Sequence, residues 1–141
     1  MDKYSLIQLA TLTVDFGMLV LIWLVQLVIY PSLASMTTAT LREWHPMYTR
    51  KVTYIVLPLM LSQAVLAVLW LHYVGGLHSI IHTILIAVAW LITFGISVPL
   101  HNSIEDSTNP ALSVIRLIST NWYRTFLWST AFLVSVLAFW T

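Results

Sequence analysis

The chain has no cysteine and very little charge. Six Lys or Arg and five Asp or Glu make up 8% of its 141 residues, whereas 60% of the residues are hydrophobic. A soluble domain carries about 25% charged residues, so this chain has too few to cover the surface of a soluble protein. The lack of cysteine excludes disulfides, thiol catalysis, iron–sulfur clusters and cysteine-type zinc sites, and it leaves the redox compartment open. We therefore predict an integral membrane protein with one transmembrane domain over residues 1–141.

The sequence also lacks the motifs of several enzyme and binding classes. The net charge is +1 and there is no run of basic residues, which argues against nucleic-acid binding. No His-Glu-x-x-His, Gly-x-Ser-x-Gly, phosphate-binding loop or dinucleotide fingerprint is present. No serine is paired with a base in a triad pattern. If the protein is an enzyme, an oxidoreductase or an isomerase is a better interpretation than a hydrolase.

Long apolar stretches are what the sequence has in abundance. A transmembrane helix needs about 20 mostly apolar residues. Connections between sequential stretches are short enough to make the helices antiparallel neighbours. The sequence therefore predicts an all-α protein, an antiparallel four-helix bundle with up-down-up-down order. The four predicted spans cover about residues 5–30, 52–73, 78–99 and 121–140.

Three connections link these spans. Gly75–Gly76 lies in a tight turn between the second and third spans. Segments 31–51 and 100–120 hold most of the charge, and each is expected to contain a short interfacial helix. Thr40–Glu43 has the pattern of a capping box. Asn109–Pro110 has the pattern of an N-cap followed by proline at the first helical position.

The distribution of Lys and Arg predicts the orientation. Cytoplasmic loops carry an excess of Lys and Arg. Lys3 lies at the opposite end of the spans from all the other basic residues. Both termini are therefore expected outside the cytoplasm, in a multi-pass protein of a bacterial inner membrane. The basic residues on the side of the two longer connections are Arg42, Arg50, Lys51, Arg116 and Arg124.

A polar stripe runs along the first span. Gln8, Asp15 and Gln26 project within roughly 20° of one another at about 100° per residue. Polar residues inside a membrane usually face the bundle interior. We expect Asp15 to contact the second helix around Gln63, which lies at similar depth. The stripe is interpreted as structural, with a proton or ion path through Asp15 as the alternative.

Polar and aromatic residues also converge at the cytoplasmic ends of the spans. His45 or His101 is expected to act as a base or metal ligand, and Tyr48 or Tyr30 as a proton donor. Arg124, with Asn121, would stabilise an oxyanion. The alternative interpretation is an interfacial aromatic belt with a capping asparagine. The predicted catalytic set is His45, Tyr48, His101, Asn121 and Arg124, and the predicted substrate-binding set is Tyr30, Gln26, Asn102 and Trp128.

The five histidines raise the question of haem or metal. His45 and His72 fall on opposite helical faces, which argues against two stacked haems. A single haem or metal ion remains compatible with the sequence, with His45 and His101 as candidate ligands. The remaining three, His72, His78 and His82, are expected at the outer face as solvated residues around the Gly-Gly turn.

Four short motifs carry a resemblance to known proteins. They are Trp23-x-x-Gln26-x-x-x-Tyr30-Pro31, Pro58-x-Met60, Pro99-x-His101-Asn102 and Asn121-Trp122-x-Arg124-Thr125-x-x-Trp128. The set resembles a group of uncharacterised small bacterial four-helix membrane proteins. It is more distantly similar to anthrone oxygenase-like membrane proteins. The latter resemblance implies oxidation of a lipophilic substrate, with matching positions at His101, Asn102, Asn121 and Arg124.

Three functions follow as hypotheses. The first is a small membrane enzyme that acts on a membrane lipid or lipophilic small molecule at the cytoplasmic ends of the helices. The second is a transporter or channel component that uses the Asp15 stripe and assembles as a homo-oligomer. The third is an accessory subunit of a membrane complex.

Overall fold

A computed structural model describes residues 3–140, which form four long helices and no strand. The all-α prediction is confirmed. The helices are separated by links of two or three residues. Their bounds are α1 Lys3–Ala34, α2 Thr38–Tyr73, α3 Gly76–Asp106 and α4 Pro110–Trp140.

The short separate helices expected in segments 31–51 and 100–120 are not formed, and that prediction is wrong. These residues are terminal turns of the four long helices instead. Their polar composition marks where a helix leaves the apolar layer, but it does not end the helix. The hydrogen-bonded ladder of the helix continues through them until a capping residue or a turn residue ends it.

Three of the four helices, α1, α2 and α3, are long and apolar enough to cross a membrane. This composition is consistent with a membrane protein. The fourth helix, α4, is less apolar because residues 119–125 include serine, threonine, asparagine and arginine.

Local signals fix the ends of the helices. The Thr37 side chain accepts a hydrogen bond from the Thr40 amide and caps α2. The predicted capping box over Thr40–Glu43 is therefore wrong, because both residues lie inside α2 and Thr37 is the cap. The Asn109 side chain accepts from the Leu112 amide at 3.3 Å, which confirms the predicted cap of α4. The Gly75–Gly76 link has φ angles of 70° and 85°, which side chains with a Cβ rarely adopt.

Two short π-helical turns interrupt the α-helical ladder. Val25–Ile29 lies in α1 just before Pro31, and Thr93–Ser97 lies in α3 just before Pro99. Proline has no amide hydrogen, and its ring displaces the carbonyl four residues earlier. A π turn accommodates this displacement, and such turns are frequent at functional sites.

The helices pack in a closed ring of neighbours, in which α1 contacts α2 and α4, and α3 contacts α2 and α4. The central layer of the core is apolar and includes residues from all four helices. Most of the outward-facing residues are also large and apolar, as expected for a surface in contact with lipid. The central layer contains Met18, Ile22, Met60, Ile86, Ala89, Trp128 and Ala131.

Candidate functional site

A continuous row of hydrogen-bonded side chains joins three helices at one end of the bundle. The Tyr30 hydroxyl lies 3.0 Å from Nε2 of His101. Nδ1 of His101 lies 2.9 Å from Nε2 of His45. Nδ1 of His45 lies 3.1 Å from the Glu105 carboxylate. We call these four residues the relay.

The relay has a single direction when both histidines are neutral. A carboxylate accepts hydrogen bonds, so Nδ1–H of His45 donates to Glu105. Nε2 of His45 is then an acceptor, and Nδ1–H of His101 donates to it. Nε2 of His101 is in turn an acceptor, so the Tyr30 hydroxyl donates to it. Each member therefore donates to the next, and such aligned rows polarise one another.

The relay connects a buried end to an exposed end. Tyr30 is 2% exposed and His45 is completely buried. The side chain of Glu105 is 40% exposed. A proton that moved along the relay would therefore travel between the bundle interior and the surface.

Three members of the relay, Tyr30, His101 and Glu105, line a cavity of about 270 Å³. The rest of the lining is mixed, with polar side chains such as Arg124 beside aliphatic ones such as Val52 and Val56. Further lining residues on α2 and α3 are exposed, so the cavity opens between these two helices. The aliphatic walls suit an apolar molecule.

The other predicted catalytic and substrate-binding residues divide into two groups. Tyr48 lines the cavity and stacks on Trp44, with ring centroids 4.9 Å apart. Asn102 lies at the exposed rim of the cavity. Asn121 is fully buried and donates to the Gln26 side chain at 2.8 Å. Asn121 and Gln26 therefore connect α4 to α1 and do not line this cavity.

Arg124 and Trp128 connect the cavity to the core. The Arg124 guanidinium carbon lies 5.0 Å from the centroid of the Trp128 ring, a cation–π contact. The Trp128 indole donates to the Gln63 side chain at 3.0 Å. Trp128, predicted as a substrate-binding residue, is thus a bridge between Arg124 and a second polar cluster.

This second cluster surrounds Asp15. Gln63 donates to one Asp15 oxygen at 2.6 Å, which confirms the predicted contact with the second helix. Nε2 of His82 lies 2.8 Å from the other oxygen. All three side chains are buried. Both carboxylate oxygens of Asp15 therefore have partners, as a polar group in the bundle core requires.

The prediction that His82 is a solvated residue is wrong. His82 is completely buried, and its ring packs against Trp70 with centroids 5.1 Å apart. Its position two turns into α3 carries it away from the Gly-Gly link and toward the core. His72 is exposed and His78 is half-buried.

The histidines of the relay do not fit a metal or haem site. Both ring nitrogens of His45 and both of His101 are occupied by hydrogen bonds within the relay. Among residues 3–140, no group of three or more His, Asp or Glu side chains is arranged to hold a metal ion. The two candidate ligands, His45 and His101, form a hydrogen bond to each other instead.

Glu105 and His82 are the polar residues that the sequence analysis missed. Glu105 follows His101 by four residues, so both project from one face of a helix. That spacing indicates a contact between the two residues only if α3 continues as a helix past Pro99 to Glu105. His82 has no comparable signal, because it lies only 7 residues after Gly75 whereas Gln63 lies 12 residues before it.

The chain stands apart in comparisons with known proteins. No family model, no curated protein and no solved structure matches it.

Proposed function

We propose that this protein is a small membrane enzyme that performs acid–base chemistry on a lipophilic molecule. The observation that carries the proposal is the relay, because Tyr30, His101 and the exposed carboxylate of Glu105 all line one open cavity. A row of purely structural hydrogen bonds has no need of an open cavity along it. An oxidoreductase or an isomerase uses this arrangement, because both move protons to or from the substrate.

The proton transfer follows the direction of the hydrogen bonds in the relay. Tyr30 gives its hydroxyl proton to Nε2 of His101 as its oxygen takes a proton from the substrate. His101 passes its Nδ1 proton to His45, and His45 passes its own to Glu105. One proton leaves the substrate and one arrives at the carboxylate, so the charges balance. The reverse sequence delivers a proton to the substrate.

Arg124 supports this step through its charge. Its guanidinium lies at the same cavity as the Tyr30 hydroxyl. Negative charge that develops on the Tyr30 oxygen or on a substrate oxygen would be stabilised there, because electrostatic interactions are strong in a water-poor site.

We also propose that all four helices cross a bacterial inner membrane in up-down-up-down order, with both termini outside the cytoplasm. Gln8 near the start of α1 donates to the Ala138 carbonyl near the end of α4. Gln26 and Asn121 meet near the opposite ends of the same helices. These contacts support an antiparallel pair, and the positive-inside rule supports the orientation.

The Asp15 cluster is proposed to be structural. Both oxygens of Asp15 and both polar atoms of Gln63 are engaged. A transport path needs a group that is free to exchange protons or ions along a polar channel. Nδ1 of His82 has no partner among residues 3–140, but the engagement of Asp15 and Gln63 supports a role in holding α1, α2, α3 and α4 together.

The resemblance to anthrone oxygenase-like proteins is one form of this proposal. Of the four matching positions, His101, Asn102 and Arg124 line the cavity. Oxidation of a lipophilic substrate would begin with the removal of a proton, and the relay would accept that proton.

The test is hydrogen exchange in deuterated water. Purified protein is incubated with a membrane-lipid extract of the native host in D₂O, and the extract is analysed by mass spectrometry. The wild-type protein is expected to convert a lipophilic compound or to place deuterium in it. Tyr30→Phe should lose this activity by a factor of about 100 or more, since acid–base catalysis contributes that much.

Tyr54→Phe is the matched control, because Tyr54 is an exposed tyrosine on α2. It should keep full activity. If Tyr30→Phe is as active as the wild type and equally well folded by size-exclusion chromatography, the proposed function is wrong.

A further inference from the structure

Arg124 is a buried cation that shares its cavity with the carboxylate of Glu105. It is 7% exposed and forms no ion pair with an Asp or Glu in the described part of the chain. Its Nε is buried and has no hydrogen-bond partner among residues 3–140. A buried charge is costly unless it is paired and hydrogen-bonded. The cavity that Arg124 lines therefore suits an anionic group.

Ser97 supplies a second unused donor in the same cavity. Buried threonine hydroxyls here donate to the carbonyl four residues earlier, as Thr93 donates to Ala89 at 2.7 Å. For Ser97 that carbonyl belongs to Thr93, and in the π-helical turn it accepts from the Val98 amide. Ser97 is 2% exposed and lines the cavity, and its hydroxyl has no partner within residues 3–140.

We propose that Arg124 and Ser97 form a subsite that binds the carboxylate of a lipophilic acid. The inference rests on the proposed function, because it names the substrate class of the same cavity. The planar guanidinium matches the geometry of a carboxylate. The serine hydroxyl adds one donor to a carboxylate oxygen. A phosphate group has more oxygens to satisfy than one guanidinium and one hydroxyl can serve.

The size and walls of the cavity account for the lipophilic part. At about 270 Å³ the cavity is slightly smaller than typical ligand sites, which are roughly 300–1,000 Å³. It has room for a carboxylate and the first carbons of a chain, with Val25, Val52 and Val56 beside them. The remaining chain leaves through the opening between α2 and α3, where lipid would surround it.

The test compares two ligands that differ only in charge. The full-length protein is purified in a neutral detergent, and its unfolding temperature is measured with decanoate and with decanol. A ligand that binds the folded state raises this temperature. We expect decanoate to raise it and decanol to leave it near the ligand-free value.

Variants then locate the binding site. Arg124→Gln should abolish the decanoate shift, and Ser97→Ala should weaken decanoate binding about tenfold, as expected for a hydrogen bond to a charged group. Arg116→Gln is the matched control, because Arg116 is an exposed arginine on the same helix, and it should keep the wild-type shift.

An equal shift with decanol, or a full shift in Arg124→Gln, would overturn the proposal. If Arg124→Gln does not fold, Ser97→Ala decides, since an undiminished shift in that variant contradicts the subsite. The measurement follows binding and not turnover. Failure of the acid–base proposal, tested with Tyr30→Phe in D₂O, is therefore distinguishable from failure of this one.

Discussion

Asp15 and Tyr30 illustrate how hydrogen bonding separates a structural polar residue from a reactive one. Both Asp15 oxygens accept hydrogen bonds from neighbouring side chains, and Asp15 does not line the cavity that Tyr30 lines. Tyr30 donates its single proton to His101 and turns its oxygen toward the cavity. The first arrangement fixes helices, and the second leaves a group available to a ligand.

The structural role of Asp15 predicts a loss of stability on truncation. Asp15→Ala leaves the buried side chains of Gln63 and His82 without their partner, so the free energy of unfolding should fall by about 3 kcal/mol. Denaturant unfolding in detergent measures it. Asp15→Asn keeps an acceptor for Gln63 and should lose less.

Asp106→Asn, at an exposed carboxyl near the end of α3, is the control and should be neutral. A folded Asp15→Asn variant that retains hydrogen-exchange activity would support the structural role. A folded Asp15→Asn variant without activity would instead place Asp15 in the chemistry, contrary to this account.

The contacts that the sequence could predict are those between polar residues at the same depth in the apolar stretches. Asp15 and Gln63 are polar groups near the middle of long apolar stretches, and such groups must find each other. Glu105 could not be predicted because its segment was expected to leave the helix. His82 was misplaced because distance from a turn is a weak guide to which helical face a residue occupies.

At the scale of the helices, the main result is that each helix continues unbroken through features that could have ended it. Neither Pro46 and Pro58 in α2 nor the π turns of α1 and α3 end a helix. The four-element pattern was predictable from apolar stretches. The helix ends were not, because hydropathy reports the thickness of the apolar layer and the backbone ladder extends beyond it. The Gly75–Gly76 link is different, because its positive φ angles favour glycine.

That link yields a prediction at this scale. Gly76→Ala places a Cβ at a φ of 85°, and the left-handed conformation costs roughly 1–2 kcal/mol for such a residue. The free energy of unfolding should fall by about that amount. Thermal unfolding in detergent is the measurement.

Gly95→Ala is the matched control. Gly95 lies within α3 with open space around a new Cβ and an ordinary φ, and alanine is a better helix former than glycine. This variant should be at least as stable as the wild type. Equal destabilisation by both substitutions would contradict the backbone argument.

At the scale of the whole molecule, the relay depends on how the bundle packs. Its members come from α1, α2 and α3, and nothing in the local sequence requires them to meet. The ring of helix contacts brings Tyr30, His45 and His101 to one point, and the lateral opening between α2 and α3 exposes that point at the surface of the bundle. The meeting of these residues was expected from helical phase, but their order along a hydrogen-bonded row was not.

The most direct test of the relay is the position of the protons on its histidines. ¹⁵N NMR of the histidine-labelled protein in lipid bilayers distinguishes the two ring nitrogens, with His45→Asn and His101→Asn used for assignment. At neutral pH both rings should be uncharged, with the proton on Nδ1 and Nε2 unprotonated, because each ring donates toward Glu105. A proton on Nε2 of either neutral ring would reverse the row and contradict the account.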